Sequence, residues 1–507
     1  MPAEPTPSTA PAGRRTQGLV SNSTSQLLTF GFRAVAGVGV VVLLARSGGP
    51  EDLGVVQFAL TLTSLLPFFY GVPTLLAREV ARRPETARRW IEAGTLLSLG
   101  FGTLFTALLF AVPLAIGASQ ATVLTIGIAG IGMAFDGIAR VQFAVFWARE
   151  RLSTETWITG LQEAVYLGGT AAVLASGGGP VAATVVFAAS RAVGAVISWG
   201  VVGVRLGGLP VPRVERGALR PILRQSTPFA LSDTLTLTNG RFDAVLLGLL
   251  AGPAAVGLYQ AATNLVLHFN VIARSINRAV FPRMGRAWPE RPDEFGRLRN
   301  LSLRVLAFIA LPVTCASLLL APRTLDFLYG PEFAPAVLTY QLLIAVIAVR
   351  MLGHTFSLSL TAADRQKERT VAVATAAVLN IGLNFWFIPR FSYLGAAITT
   401  VICETGLLVA YAVLLRRVAG RSELFRANGW PLLAVVPMAG AIVLTADLHV
   451  LVSLAAGLAA YGAAVALIAV ARGGDRKRPT RALAALVQPA RQPISGAPTG
   501  GSPRARR

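Results

Sequence analysis

The sequence predicts an all-α polytopic membrane protein of about fourteen transmembrane helices, with two parallel six-helix lobes in a V and two further helices at the C-terminal end. Three observations lead there. Apolar residues make up 54% of the chain and charged residues only 14%, with a mean hydropathy of +0.61, outside the balance of a soluble domain. The apolar runs are long and do not alternate in polarity. About 20 such residues cross a hydrocarbon core roughly 30 Å thick, and only helices or closed barrels satisfy the backbone there, so the runs read as helices. Part of the chain also occurs twice: residues 42–60 return as 245–263, sharing the frame G-P-x-x-x-G-x-x-Q-x-A at 49–59 and 252–262. Each copy is an apolar run, a Gly-Pro turn and a second apolar run, the pattern of a helical hairpin.

In chain order, residues 1–21 are rich in Pro, Thr, Ser and Ala and read as a disordered lead. The N-terminal lobe, 22–205, holds spans near 24–44, 54–76, 91–116, 121–147, 156–175 and 181–204. A linker, 206–218, leads to the C-terminal lobe, 219–420, with spans near 227–250, 254–280, 301–320, 334–360, 371–388 and 394–415. Two extra helices lie within 421–471, near 431–445 and 451–470, and 472–507 is a basic tail. Pro67, Pro73, Pro228 and Pro312 interrupt spans, where a missing N–H permits bending.

The net charge of +22 follows the same topology. Basic residues cluster in alternate loops, at Arg78 to Arg89, Arg149 and Arg151, Arg205 to Arg224, Arg274 to Arg299, Arg365 to Arg369 and Arg416 to Arg426, whereas the intervening turns carry only Arg46, Arg323 and Arg390. Cytoplasmic loops retain Lys and Arg. Both termini are therefore expected in the cytoplasm, with the Gly-Pro turns outside, in the cytoplasmic membrane. This explains the charge without nucleic acid as a partner. A twin-arginine export signal at Arg14-Arg15 lacks its short apolar segment and cleavage site. Cys315, Cys403 and the three histidines have no metal-ligand spacing, and no phosphate loop or G-x-S-x-G elbow is present. No cofactor, metal or covalent chemistry is expected, and the chain does not read as an enzyme.

Charges inside the spans are the candidate site: Arg33, Arg140, Arg191, Arg241 and Arg350, with Asp136, Glu163, Asp233, Asp243 and Glu404. An Arg near a bilayer centre costs about 2.5 to 3.5 kcal/mol even on insertion scales, so these residues face protein or water. Interhelical ion pairing and cavity lining both fit the set. Asp136 and Arg140 are one turn apart and can neutralise each other. Arg33 and Arg241 have no acid three or four residues away and no counterpart at the repeat offset. A guanidinium of that kind in an aqueous cavity suits a diphosphate. Asp243, Glu404 and Glu163 are candidates for ion coupling, or for partnership with an arginine; Asn380 and Asn384 are intramembrane amides able to meet sugar hydroxyls or to bridge helices.

The stretches at 46–54, 77–82, 241–243, 252–262 and 328–333 resemble, in order, turns and span ends of Wzx-type polysaccharide flippases of the multidrug/oligosaccharidyl-lipid/polysaccharide exporter superfamily. The resemblance covers roughly residues 20–420. It implies a V-shaped pair of lobes that moves polyprenyl-diphosphate-linked oligosaccharide between leaflets by alternating access, with cationic cavities. Its expected partners are the lipid-linked oligosaccharide, membrane lipids and polysaccharide-assembly proteins such as a polymerase. The alternatives are a multidrug cation antiporter of the superfamily, a lipid II type flippase, and a membrane glycosyltransferase or ligase; the short loops disfavour the last.

Overall fold

The computed structural model describes residues 12–65, 68–115, 117–212, 219–227, 241–267, 269–420 and 424–471. Pro67, Pro228, Asp233, His268 and the basic tail after Ala471 lie outside the described residues. All regular structure among the described residues is helical: α1 (Ala12–Ser64), α2 (Phe68–Arg82), α3 (Ala87–Ala115), α4 (Gln120–Ala148), α5 (Leu152–Ala175), α6 (Pro180–Arg205), α7 (219–227), α8 (Phe242–Ala251), α9 (Pro253–Leu267), α10 (Asn270–Ala287), α11 (Pro292–Tyr329), α12 (Val337–Ala362), α13 (Gln366–Ala419), α14 (Leu424–Leu444) and α15 (Val450–Ala471), with short 3-10 turns at Pro84–Thr86 and Pro331–Ala336. Eight helical stretches are long and apolar enough to cross a membrane, and 242–251 and 431–444 are shorter apolar helices. The protein is an all-α, multi-pass membrane protein. The helix begins at Ala12, inside the segment whose composition reads as a disordered lead.

Two of the long helices bend sharply. In α1 the bend is at Gly49, φ 65°, just before Pro50; in α13 it is at Ser392, φ 50°. Gly252, φ 84°, makes the same turn as Gly49 between α8 and α9. Glycine meets that positive φ without a Cβ penalty, and the proline after it starts the next helix with a preset φ.

The two copies of the repeated frame pack on each other. The stretch of α1 after Gly49 crosses α9 so closely that a Cβ on Gly54 would strike the carbonyl oxygen of Pro253, and one on Gly257 that of Pro50. In lipid, no hydrophobic force pulls helices together, so small residues that let backbones meet are what hold such a crossing. Gln260 Nε2 donates to Thr61 Oγ1 across it at 3.0 Å, and Arg46 binds the carbonyls of Leu328 at 3.0 Å and Phe327 at 2.5 Å beside it. A buried cluster there draws on both lobes, including Leu44, Leu53, Ala59, Leu247, Val256 and Phe333. At the far ends the apolar cluster of Leu75, Ile91 and Phe146 also takes in Ile222 of α7, while that of Leu303, Leu360 and Tyr411 stays within the C-terminal lobe. The lobes therefore join at the Gly-Pro end, and toward the basic loops α7 packs against the N-terminal lobe. The extra helices α14 and α15 pack on α11 through Met438, Ile442 and Tyr461, whose hydroxyl donates to the Phe308 carbonyl at 3.0 Å.

Candidate functional site

In the N-terminal lobe, α1, α4, α5 and α6 bring five charged side chains together. Asp136 and Arg140 are one turn apart on α4, and Arg140 Nε donates to Asp136 Oδ2 at 2.6 Å. Glu163 of α5 accepts from Arg191 of α6 at 2.9 Å, and both side chains are nearly closed to solvent. The Arg191 guanidinium also lies over the Phe187 ring, 5.0 Å from its centre, which replaces water on that face. Arg33 of α1 has all four of these as charged neighbours. It is open to a water-sized contact yet set among protein, and no ion pair holds it among the described residues. Glu155 of α5 is a further charged neighbour of Arg33 and Arg140, so the charges nearly balance, and Arg33 is the guanidinium that stays accessible and outside the Arg140–Asp136 and Arg191–Glu163 pairs.

The C-terminal lobe builds a second cluster on α8, α9, α12 and α13. The Asp243 carboxylate accepts from Asn384 Nδ2 at 2.8 Å, Thr400 Oγ1 at 3.1 Å and Tyr259 OH at 3.4 Å. Arg350 Nε and a terminal nitrogen donate to Glu404 Oε1 at 3.0 and 2.7 Å. A cavity of about 40 Å³ is lined by Asp243, Arg350, Asn380, Thr400, Cys403 and Glu404 among others. The Asn384 Oδ1 is buried without a hydrogen-bond partner. Here two carboxylates face one guanidinium, in a space for an ion or water and not for a saccharide.

The five arginines expected to form the site therefore fall in three places. Arg33, Arg140 and Arg191 meet in the N-terminal lobe and Arg350 in the C-terminal one. Arg241 is exposed at the start of α8, and residues 228–240 before it lie outside the described ones. Glu163 and Glu404 each pair with an arginine, whereas Asp243 is held by neutral donors.

A second repeat relation was not seen in the sequence. Glu150 and Asp364 both take positive φ, 54° and 59°, in the turns α4–α5 and α12–α13, and each precedes an arginine, Arg151 and Arg365. Counting back equally from those turns along unbroken helices matches Asp136 with Arg350 and Arg140 with His354. Counting forward equally from Gly179 and Ser392 matches Arg191 with Glu404. The charged positions were duplicated and their signs were not. The visible signal was an acid followed by Arg after each apolar run.

The family described as "Polysaccharide biosynthesis protein" matches residues 16–288, more than half of the chain. The chain belongs to the polysaccharide biosynthesis protein family. The pattern described as "Lipid II flippase MurJ" also matches, over residues 201–467. Among curated relatives of this family member, the "Probable flippase AglR" of Haloferax volcanii is 26% identical over 169 residues, 32% of this chain and 35% of that protein, so this chain matches about a third of its length. The "Capsular polysaccharide biosynthesis protein CapF" of Staphylococcus aureus is 20% identical over 395 residues, 75% of this chain and 94% of that protein. Among solved structures, "Lipid II flippase MurJ, inward closed conformation" has a TM-score of 0.69 at 15% identity, covering 89% of this chain and 99% of that one. An "Inward-facing conformation of a multidrug resistance MATE family transporter of the MOP superfamily" has a TM-score of 0.62 at 16% identity, covering 76% of this chain and 94% of that one. At these identities the structural likeness is one of fold.

Proposed function

We propose that this protein translocates a polyprenyl-diphosphate-linked oligosaccharide across the cytoplasmic membrane, by rocking its lobes, 22–205 and 219–420, about the Gly54–Gly257 crossing. The observation that carries this is Arg33: an accessible guanidinium enclosed by protein and outside the Arg140–Asp136 and Arg191–Glu163 pairs. An anionic headgroup supplies the ion-pair partner that Arg33 lacks among the described residues, and charge-assisted hydrogen bonds to it are the strong kind. Arg140 and Arg191 hold the carboxylates that would otherwise repel the anion, Arg241 is a secondary contact along the cleft, and Arg350 holds Glu404 beside the small C-terminal cavity. The polyprenyl tail stays in lipid, and no covalent step is involved. Basic loops on the cytoplasmic side put both termini there and the Gly-Pro end outside. The joined end is then the outer one, and the cleft opens to the cytoplasm, where the cargo is made. Names of relatives that speak of flippases and polysaccharide biosynthesis support the cargo class; the outward product passes to polysaccharide-assembly proteins.

Asp243, Asn384 and Thr400 form the coupling site for a small cation. A carboxylate with hydroxyl and amide oxygens is hard-cation chemistry, and the buried, unpartnered Asn384 Oδ1 becomes a ligand after a side-chain flip. The MurJ-like pattern over the second half favours a lipid II type cargo as the second reading.

The test is translocation by the purified full chain in liposomes, using a fluorescent polyprenyl-diphosphate oligosaccharide and, separately, an organic cation. Movement of the glycolipid that Arg33→Ala reduces at least about 10-fold supports the reading. Movement of the organic cation alone overturns it in favour of an antiporter.

A further inference from the structure

Toward the α4–α5 turn from Arg33, a cavity of about 170 Å³ is lined by Gln26, Thr29, Trp147, Leu152, Glu155 and Thr156. Thr29 and Arg33 are one turn apart on α1, so they share a face. At roughly 30 Å³ per liquid water, the space equals five or six waters, the scale of one sugar ring and not of an oligosaccharide. Its lining is two hydroxyls, an amide, a carboxylate and an indole. That mixture suits a neutral polyol, whose hydroxyls both donate and accept and whose ring carbons pack on an aromatic face.

The polar groups are preset. Thr29 Oγ1 donates to Thr156 Oγ1 at 2.9 Å, and Thr156 Oγ1 to the Ser25 carbonyl at 3.0 Å, which ties α1 to α5 at the cavity wall. Trp147 Nε1 donates to Glu155 Oε2 at 2.5 Å, fixing the carboxylate. Arg33 and Arg140 are charged neighbours of Glu155. The cavity is not a by-product of the fold: at the positions matched through Glu150 and Asp364, the C-terminal lobe has Thr361 and Arg369 where this lobe has Trp147 and Glu155, and Arg369 Nε donates to Ser357 Oγ at 2.7 Å.

We infer that this cavity is the subsite for the first sugar of the cargo, the one bonded to the diphosphate, and that it selects a neutral sugar over an acidic one. The inference rests on the proposed glycolipid function. With the diphosphate at Arg33, the first ring falls one helical turn along α1, beside Thr29 and Gln26. Glu155 accepts from its hydroxyls, Gln26 and the threonines complete the hydrogen bonding, and Trp147 stacks on its apolar face. A uronic acid in that place would set its carboxylate against Glu155.

Three probes test this on the full-length protein in detergent, by native mass spectrometry: a bare polyprenyl diphosphate, the same lipid carrying one N-acetylglucosamine, and the same lipid carrying one glucuronic acid. The wild type is expected to bind the N-acetylglucosamine lipid about 10-fold or more above the bare lipid, the range of one charge-assisted hydrogen bond, and above the glucuronic acid lipid. Glu155→Gln and Gln26→Ala, the latter at an exposed side chain, should each erase that preference without weakening bare-lipid binding, while Arg33→Ala weakens all three. Equal binding of the bare and N-acetylglucosamine lipids by wild type, or a preference kept in both variants, overturns the subsite with the flippase reading intact. Binding of none of the lipids overturns the function itself.

Discussion

In the N-terminal lobe Arg33, Arg140 and Arg191 meet Asp136 and Glu163, whereas in the C-terminal lobe Arg350 meets Asp243 and Glu404. The helices that carry these charges correspond, and the positions on α4 and α6 correspond with those on α12 and α13. One lobe ends with an accessible cation outside its ion pairs, and the other with an anion held by neutral donors. Duplication supplied the scaffold and the depth in the membrane at which charge is tolerated. Divergence then set the sign, which matches one lobe to the proposed anionic cargo and the other to the proposed coupling cation. The lobes also differ in how wet their ion pairs are. The Arg191–Glu163 side chains are 10% and 8% exposed, those of Arg350 and Glu404 26% and 24%.

That difference gives the largest expected effect. Arg191→Ala leaves Glu163 charged and without its ion-pair partner in a dry site, which costs about 3 to 5 kcal/mol. Thermal unfolding in detergent should show it, and pairing Arg191→Met with Glu163→Gln should recover most of the loss. Arg350→Ala leaves Glu404 where water reaches it and should cost about 1 kcal/mol. Equal losses for the two arginines would end the dry-and-wet distinction.

Arg33→Ala comes next, and its effect is on function alone. With no ion pair to break, stability should stay within about 0.5 kcal/mol, as for ordinary accessible positions. Glycolipid affinity should fall about 10- to 100-fold, the worth of one or two charge-assisted hydrogen bonds. A melting temperature that drops with unchanged affinity would make Arg33 a structural residue. Asp243→Asn should show the reverse division: glycolipid binding is kept, while the rate in a cation gradient falls to the rate without one. Loss of glycolipid binding in Asp243→Asn would place both roles in the same site and undo the comparison.

How much of this was legible in the sequence varies with the distance along the chain. The helical membrane fold follows from hydropathy, and the Gly-Pro repeat marks the crossing where the copies meet, because glycine is what close backbones require. Asp136–Arg140 was visible as a one-turn spacing. Arg191–Glu163 and Arg350–Glu404 were not, since they join different helices 28 and 54 residues apart and depend on how those helices rotate against each other. The neutral donors on Asp243 come from α9 and α13, and no local pattern ties them to it. The sugar-sized cavity was hidden for the same reason: Gln26 and Thr29 are ordinary polar residues on α1 until α5 brings Glu155 and Thr156 alongside.

The smallest expected effect lies at the seam between the lobes, where the comparison stops because the copies act on each other. Gln260 belongs to the second frame and donates to Thr61, just beyond the first, at 3.0 Å. A hydrogen bond of this kind between membrane helices contributes about 0.6 kcal/mol on average. In a rocking transporter this bond exists only while the Gly-Pro end is joined, so Gln260→Leu should hardly change the melting temperature of either lobe. It should instead shift the balance between joined and open ends about 3-fold toward the open one. Spin labels on the two Gly-Pro turns would read that shift as a larger share of long distances. An unchanged distance distribution, with Gln260→Leu folded and inserted, would mean that the Gly54–Gly257 crossing alone sets the closed state.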